Sequence, residues 1–482
     1  MSEDPDFEME VVEGDELDGP AGGESSPEME EPDRTEVSRE TGPEEREGAS
    51  MLTAGANGKR EWGRGPLEVV SNIIMGSSPK SKYYNESEEG PPFLQANNEF
   101  GYRSPTADRW CSNPAKRCEK GDLLMTIRGT YVGQMNLADD DYCIGRGLAA
   151  IAPGDDLNGE YLFHYLDHIE SYVKSIAAGS TFDSVSSNDI ESLEVRIPPL
   201  PEQRKIASVL YAVDQAIQKT EAITEQAKRV KRGLMQDLWA YGLDGIRESV
   251  NSRESSRAVQ ETTVGQFPKD WKIVNLDSVT ERVTDGTHQA VETLPDGEEG
   301  IPFLYVSCIR DGQINWEKAS SVSEEVYKEI SEGKEPEAGV ILYTAVGSYG
   351  HAVMLKGDKG LGFQRHIAYI RPDELAIHPK FLTHWLDSVR AKKYADRVAQ
   401  GNAQKTVTLY DLSNYPVPLP SREIQEEIAD FLDQFDSRVQ SEEGIKEKLK
   451  RLKKGLMQDL LTGEVRTMDK AIEVLGEVNA HG

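Results

Sequence analysis

An internal duplication constrains the fold of this chain more than any other feature. The hexamer GLMQDL occupies residues 233–238 and recurs letter for letter at 455–460, an offset of 222. Further upstream, the pattern Gly-x-x-Leu-x-Thr-x-x-Gly-x-Tyr begins at both Gly121 and Gly339. The residues that match at the same offset of 222 include, in pairs, Gln203 and Gln425, Ile206 and Ile428, and Asp214 and Asp436. A chance hexamer would not extend in this way, so the chain is a diverged duplication of about 220 residues.

The end of each copy has the apolar periodicity of a long helix. Apolar residues recur three or four positions apart over 206–238 and 428–460, with the same gap in both copies. Such a stripe favours a coiled-coil seam, and an ordinary core helix is the alternative. Pairing is favoured because each helix alone leaves its stripe uncovered. The residues expected to pair the helices are Ile206, Leu210, Val213, Ile217, Val230, Leu234, Ile428, Leu432, Phe435, Val439, Leu452 and Leu456.

The remainder of each copy predicts short strands and turns. Apolar stretches at 121–135 and 338–355 are broken by glycines, and helices are expected at 160–176 and 380–398. We therefore expect an α+β fold with two globules, each followed by a long α-helix. The predicted bounds are 62–198 and 266–416 for the globules, 199–240 and 417–462 for the helices, 241–265 for a linker and 463–482 for a C-terminal tail.

The acidic residues are concentrated at the N-terminus. Of 85 Asp and Glu residues, 19 lie within residues 1–50, beside three arginines and no lysine. This segment has too few aliphatic residues to offset the entropy of ordering, so we predict a disordered acidic tail, either a solvated extension or an interaction arm. The rest of the chain holds 66 acids against 51 bases, an excess that suits a cytoplasm of very high salt.

The composition excludes two classes of protein. No run of about 18 apolar residues exists, which excludes a membrane helix. The N-terminus begins with acids where a secretory signal needs basic residues and then an apolar stretch, so we expect a cytoplasmic protein. The cysteines show no C-x-x-C spacing, and we expect free, partly buried thiols at Cys111, Cys118, Cys143 and Cys308.

Several separated motifs resemble one family. The segment IPPLPEQRKIA at 197–207 opens a helix that closes with KRGLMQDL at 231–238, and the second copy ends GLMQDLLTGEVR at 455–466. Together with the segments at 76–85 and 285–288, which are similar to starts of target recognition domains, they resemble the specificity subunit of type I restriction-modification systems. The resemblance covers about 62–466. It departs from the family pattern at residues 420–424, where an insertion puts the start of the second helix in doubt.

The resemblance implies a non-catalytic DNA reader, without a cofactor of its own, in a complex with deoxyribonuclease and adenine methyltransferase activity. Its partners would be double-stranded DNA, two modification subunits and, through them, the restriction subunits, with no membrane. If the helices pair antiparallel, the globules lie at opposite ends with approximate two-fold symmetry, and residues 239–265 need only join a helix end to a nearby globule. Two diverged readers at a fixed separation predict a split, asymmetric target. Its half-sites would lie about one turn apart if both readers address the same face of the duplex.

Candidate DNA-contacting residues lie on the glycine-broken loops. Arginine can donate two hydrogen bonds to guanine and glutamine can pair with adenine, whereas lysine and tyrosine mostly position the phosphate. A solvated or structural role is the alternative for each candidate. The candidates are Lys82, Tyr83, Arg128 and Arg146 in the first globule and His288, Arg310, Tyr349, Gln364 and Arg365 in the second.

A metal-dependent hydrolase or nuclease on a duplicated helical scaffold is the alternative function. His164 and His168 stand four residues apart on one helical face, a spacing that can bind zinc, but the motif is not H-E-x-x-H. Asp296 with Glu332 and Lys334 could supply nuclease groups. Since no phosphate-binding Gly-Lys-Ser/Thr loop and no Asn-Pro-Pro-aromatic motif is present, we expect no catalytic or metal site here and assign cleavage and methylation to other chains.

Overall fold

The structure is a computed structural model that describes residues 62–179, 183–252, 258–295, 297–332, 334–357, 360–401 and 404–463. The acidic tail predicted at 1–50 and residues 464–482 of the predicted C-terminal tail lie outside these ranges. None of the described helices combines the length and the apolar character that a membrane span needs. The four cysteines are free and buried.

The first half combines eleven short strands with four helices. The strands are β1 Gly63–Pro66, β2 Ser71–Met75, β3 Tyr84–Asn85, β4 Phe93–Leu94, β5 Trp110–Cys111, β6 Arg117–Cys118, β7 Leu123–Thr126, β8 Met135–Leu137, β9 Tyr142–Ile144, β10 Leu148–Pro153 and β11 Glu194–Ile197. The helices are α1 Leu67–Val70, α2 Gly159–His168, α3 Glu170–Ala178 and α4 Ser187–Glu191. The long helix α5, Leu200–Ser252, follows.

Among the described residues, the second half resembles the first but has thirteen strands instead of eleven, and it ends in a second long helix. Its strands are β12 Val259–Thr262, β13 Gly265–Pro268, β14 Lys272–Asn275, β15 Thr280–Asp285, β16 Ile301–Leu304, β17 Ile309–Arg310, β18 Gln313–Ile314, β19 Ser320–Val322, β20 Ile341–Thr344, β21 Ala352–Met354, β22 Gly362–Phe363, β23 Ile367–Pro372 and β24 Pro416–Leu419. Its helices are α6 Glu324–Ser331, α7 Pro379–Leu386, α8 Val389–Val398, α9 Leu409–Ser413 and α10 Arg422–Leu461. The expected α+β class is confirmed.

Each half is built around one four-stranded antiparallel sheet. The strand orders are β2-β10-β7-β8 and β15-β23-β20-β21. Because successive side chains of a strand point to opposite faces, a strand covered on both faces is apolar throughout. In β10, Ala149 and Ile151 pack into one core cluster, and Leu148 and Ala150 into another. These continuous apolar runs therefore mark the centre of each globule.

Two segments that periodicity predicts as single elements are broken. The helix expected at 160–176 is interrupted at Ile169, where φ is −93° and ψ is 10°. The helix expected at 380–398 stops at Leu386, and Ser388 begins α8 by accepting a hydrogen bond from the Ala391 N–H. The apolar pattern continues through both breaks, so periodicity alone does not reveal them.

The two long helices begin with the same local device. The Gln203 amide oxygen accepts the backbone N–H of Asn158 at 2.7 Å, and the Gln425 amide oxygen accepts that of His378 at 2.7 Å. Each amide nitrogen also donates to a proline carbonyl five residues earlier. Each glutamine thus fixes the start of a long helix to the N-terminus of a globule helix, α2 or α7.

The contacts between α5 and α10 run in opposite directions. Ion pairs join Glu221 to Lys446 at 3.9 Å and Lys228 to Glu443 at 2.8 Å. The residue number falls on one helix as it rises on the other. One core cluster combines the first globule with the start of α5 and the end of α10, and a second combines the second globule with the end of α5 and the start of α10.

The middle of the contact between the helices is polar. Thr220 and Thr224 of α5 and Glu442 of α10 are buried there, and each threonine hydroxyl donates to the carbonyl four residues earlier. Val230 is 43% exposed, which corrects its predicted pairing role. The buried face of α5 passes through Thr220 and Thr224 and, at 3.6 residues per turn, continues at Lys231 rather than at Val230. Of the other predicted pairing residues, three are half-buried, namely Leu234, Phe435 and Leu452, and the rest are buried.

The predicted linker at 241–265 contains regular structure. Helix α5 continues to Ser252 with an interruption at Gly242, where φ is 69° and ψ is 179°. Trp239, just before the interruption, is buried with its ring centroid 5.2 Å from that of Trp385. This packing holds the end of α5 in the core of the second globule. The second long helix begins at Arg422 rather than at the predicted 417, because residues 416–419 form β24.

Candidate nucleic-acid interface

Strand register brings three segments to one end of the first central sheet. Met75 pairs with Ala149, and Thr126 pairs with Leu148. Since Met75 ends β2, Thr126 ends β7 and Leu148 begins β10, the segments after β2 and β7 and before β10 leave the sheet at the same end. These three segments carry the candidates of the first globule, namely Lys82, Tyr83, Arg128 and Arg146. We call this end of the sheet the first loop end.

A close glycine contact joins two segments of the first loop end. A Cβ at Gly76 would lie 2.1 Å from the carbonyl oxygen of Gly145, so only glycine fits. The Ser77 N–H donates to the carbonyl of Ile144 at 3.0 Å. This packing holds the backbone of the neighbouring Arg146 in place while its side chain stays exposed to solvent.

Lys82 and Tyr83 differ in exposure. The Tyr83 ring is half-buried and packs against the small cluster that contains Cys111 and Cys143. The Lys82 ammonium lies 4.9 Å from the centre of that ring, in a cation–π arrangement. Lys82 is therefore the better placed of the two to reach a phosphate.

The second central sheet repeats this convergence. Asp285 pairs with Ala368, and Thr344 pairs with Ile367. The segments that follow β15 and β20 and precede β23 therefore leave the sheet at one end, the second loop end. They carry four of the five candidates of the second globule, namely His288, Tyr349, Gln364 and Arg365.

The glycine contact also recurs. A Cβ at Gly286 would lie 2.2 Å from the carbonyl oxygen of Phe363. The Arg365 N–H donates to the carbonyl of Thr287 at 2.9 Å, which ties the two segments together. The structural equivalence of Gly76 and Gly286 shows that both copies keep the same loop arrangement although their loop sequences differ.

Basic and polar side chains cluster at the second loop end. His288 Nε2 lies 2.7 Å from Asp285 Oδ2, and the Nε of Arg365 lies 3.4 Å from His366 Nε2. Burial lowers the pKa of His366, and the nearby Arg365 and His288 lower it further. His366 thus stays neutral at pH 7 and can accept or donate a hydrogen bond, beside the exposed Arg365 guanidinium.

Arg310 and Tyr349 are held by neighbouring side chains. The Arg310 guanidinium donates to the Ser348 hydroxyl at 3.0 Å, and the Tyr349 hydroxyl donates to Asp396 at 2.8 Å. Burial, reinforced by Asp396, raises the pKa of Tyr349. Tyr131, which aligns with Tyr349 in the repeat pattern, is 57% exposed and is an additional candidate. The duplicated Gly-x-Tyr pattern indicates Tyr131, which is not among the candidates named from the sequence.

The histidines considered for zinc belong to the packing of α2. The His164 ring is fully buried and meets Phe163 edge to face at 5.5 Å. Burial lowers the pKa of His164 to about 3, with Lys453 and Arg103 acting in the same direction. His168 is half-buried, and burial lowers its pKa as well. A fully buried, neutral histidine fits a core role, with Asp214 Oδ2 3.9 Å from its Nδ1.

The residues considered for a nuclease site are not assembled in the described part of the chain. Lys334 donates to the backbone carbonyl of Gly286, and Asp296 lies outside the described residues. A separate group with metal-ligating atoms consists of His384, Asp433 and Asp436. Lysines neutralise both of its carboxylates, since Lys380 lies 2.7 Å from Asp433 and Lys231 pairs with Asp436. This group is therefore best described as an ion-pair cluster.

A family model matches both copies of the duplication. The model describes the type I restriction modification DNA specificity domain, and it matches residues 59–229 and 268–451. The two matches contain the two central sheets with their loop ends. This chain belongs to that family.

Known specificity subunits are similar to between about a third and most of the chain. The EcoBI specificity subunit of Escherichia coli is 24% identical over 381 residues, which span 78% of this chain and 79% of that protein. The MjaX specificity subunit of Methanocaldococcus jannaschii is 37% identical over 169 residues, which span 35% of this chain and 40% of that protein. The crystal structure of the S subunit from M. genitalium has 14% identity and a TM-score of 0.54, and it covers 84% of this chain and 98% of that one, which shows a shared fold.

Proposed function

We propose that this specificity-family chain reads a split, asymmetric DNA target through its two loop ends and carries no catalytic group itself. The single observation that carries the proposal is the duplicated convergence at Gly76 and Gly286, where the same three segments of each globule meet at one end of its sheet. The loops differ in sequence between the copies. Two unlike readers of one architecture should therefore recognise two unlike half-sites.

The geometry of the helix pair supports a fixed spacing between the half-sites. We propose that α5 and α10 act as an antiparallel coiled-coil ruler with approximate two-fold symmetry and a recognition domain at either end. The opposed ion pairs between the helices and the two separate core clusters support this layout. If both readers address one face of the duplex, the half-sites lie about one turn apart, or roughly 10 base pairs.

The partners follow from the family. We propose that the helices scaffold two modification subunits and, through them, restriction subunits, in the cytoplasm. DNA cleavage and adenine methylation then take place on those other subunits. The recognition domains correspond to 62–198 and 266–416.

An exchange of one recognition domain tests the proposal. Residues 62–198 are replaced by the corresponding domain of another family member, and the methylated motif is mapped genome-wide in a host that also supplies the modification subunit. We expect one half of the motif to change while the other half and the spacer stay the same. A change in both halves, or a continuous motif, would contradict modular recognition.

A further inference from the structure

A cavity of about 610 Å³ lies between α5 and the second globule. Its walls are formed by α5 around Lys231 and Trp239, by the hairpin at Arg310, and by the segment between α7 and α8 at Asp387. This volume lies within the range of small-molecule sites in proteins, roughly 300–1,000 Å³. The cavity is separate from the glycine contact at the second loop end.

The cavity has an excess of positive charge in a strongly acidic chain. Seven lysines and arginines line it against four acids, although the whole chain has a formal net charge of −31. Two of the acids are already paired, Glu443 with Lys228 at 2.8 Å and Asp436 with Lys231. The charge that remains inside is therefore mainly cationic.

Arg310 and Lys392 are among the lining cations that form no ion pair with the described residues. Among the described residues, no carboxylate lies at ion-pair distance from Arg310 or Lys392. After burial, these two side chains are the largest causes that lower the pKa of His351, so both lie near that ring. The Lys392 side chain also packs over Gly350, where an added Cβ would approach its Cγ at 3.3 Å. Arg310, Lys392 and His351 therefore line one wall.

In the first half, the residues that correspond to the cavity wall are packed against neighbouring side chains. The Tyr102 hydroxyl donates to the carbonyl of Asp214 at 3.0 Å, and Asp214 is the repeat equivalent of Asp436 in the cavity wall. The Arg103 guanidinium lies 4.9 Å from the ring centres of both Phe163 and Tyr211. The two halves therefore surround these equivalent aspartates differently.

We propose that this cavity binds a phosphate-bearing anion through Arg310, Lys392 and Arg232. Guanidinium and ammonium groups form strong charge-assisted hydrogen bonds with phosphate oxygens. Trp239 and Met235 supply an apolar wall beside the cations. If the phosphate belongs to a free anion, the inference goes beyond the proposed DNA recognition. If it belongs to a DNA backbone, the inference rests on that proposed function and adds a contact that does not depend on the base sequence.

Like Asp311, Asp387 is a lining acid that opposes the anion. Its side chain is 23% exposed, and it accepts the Ala352 N–H at 3.3 Å. Enclosure in the cavity raises the pKa of Asp387 to about 7, so its negative charge is only partial at neutral pH. Removing this carboxylate should tighten the binding of an anion.

Isothermal titration of the full chain with sodium triphosphate tests the proposal. We expect wild type to bind, and Lys392→Glu to weaken binding at least tenfold, because the variant loses a charge-assisted hydrogen bond and places a negative charge beside the anion. Lys393→Glu is the matched control, since Lys393 is the exposed neighbour on α8 and does not line the cavity. Asp387→Asn should bind more tightly than wild type.

Two results would overturn the proposal, namely no triphosphate binding by the wild type or equal weakening by Lys392→Glu and Lys393→Glu. Circular dichroism of each variant checks that the chain is folded.

A competition experiment with a labelled duplex that lacks the methylated motif identifies the source of the phosphate. If triphosphate displaces the duplex from wild type but not from Lys392→Glu, the ligand is backbone phosphate. If triphosphate binds without displacing the duplex, the ligand is a free anion. Neither result depends on the motif mapping that tests DNA specificity.

Discussion

The ammonium group of Lys453 lies 2.9 Å from the carboxylate of Asp214, and this ion pair joins the end of α10 to the start of α5. Lys231 of α5 forms the equivalent pair with Asp436 of α10. Both residues of one pair are offset by 222 from those of the other. The two copies are therefore joined reciprocally, because the lysine of each long helix pairs with the aspartate of the other long helix.

Loss of Lys453 should destabilise the chain more than loss of Lys231. Lys453 also lies 3.1 Å from Asp167, and the Asp214 side chain is only 7% exposed, so Lys453→Ala leaves this buried carboxylate with only the more distant Arg103, 3.8 Å away, as its cation. We expect the free energy of unfolding to fall by about 3 kcal/mol. Lys231→Ala should cost about 1 kcal/mol, because the Asp436 side chain is 43% exposed and can be hydrated. Urea denaturation measures both, and equal losses would show that burial does not govern these pairs.

The buried His164 should make stability depend on pH. Burial lowers its folded pKa to about 3, whereas an unfolded histidine titrates near 6.5. Between these values the unfolded chain binds the extra proton, so stability falls as pH falls, by up to about 1.4 kcal/mol per pH unit from this residue.

His164→Phe should remove that part of the pH dependence. The difference in unfolding free energy between wild type and variant, measured by urea denaturation at several pH values, should change between about pH 6.5 and 3. His288→Ala is the control, because the His288 side chain is 64% exposed. A constant difference for His164→Phe across this range would contradict the assigned pKa.

Arg365 should contribute to DNA recognition and Arg371 should not. Arg365 precedes β23 at the second loop end, whereas Arg371 lies near the opposite end of the same strand, roughly 20 Å away. Arg365→Ala should weaken binding to the cognate duplex by about 1–3 kcal/mol and relax the preference at one position of one half-site. Fluorescence anisotropy with the cognate and substituted duplexes measures both effects. Similar losses in Arg371→Ala would indicate that the loop end is not the reading surface.

Lengthening both long helices should widen the spacer of the target. Seven residues inserted into α5 after Glu221 and seven into α10 before Lys446 preserve the opposed pairing and add about 10 Å. At 3.4 Å per base pair, the spacer should grow by about three base pairs. Mapping of the methylated motif gives the result directly. An unchanged spacer with full methylation would refute the proposed ruler.

Local sequence determined the parts of the fold that repeat. The shared hexamer and the matched Gln203 and Gln425 predict two copies of one unit, because each glutamine bonds to backbone groups within its own copy. Apolar periodicity likewise predicts the long helices, because residues three or four positions apart lie on the same face of a helix. The glycines predict loops, although they do not reveal which loops meet.

Only the tertiary structure decided which residues meet across the chain. Thr220 and Glu442 are distant in sequence, and their burial at the centre of the helix pair follows from the register of α5 against α10. The meeting of Gly286 with Phe363 depends on strand register, and the cavity at Lys392 depends on how the second globule packs against the long helices. A sequence pattern records the preferences of neighbouring residues, whereas these contacts depend on long-range packing that only the folded chain fixes.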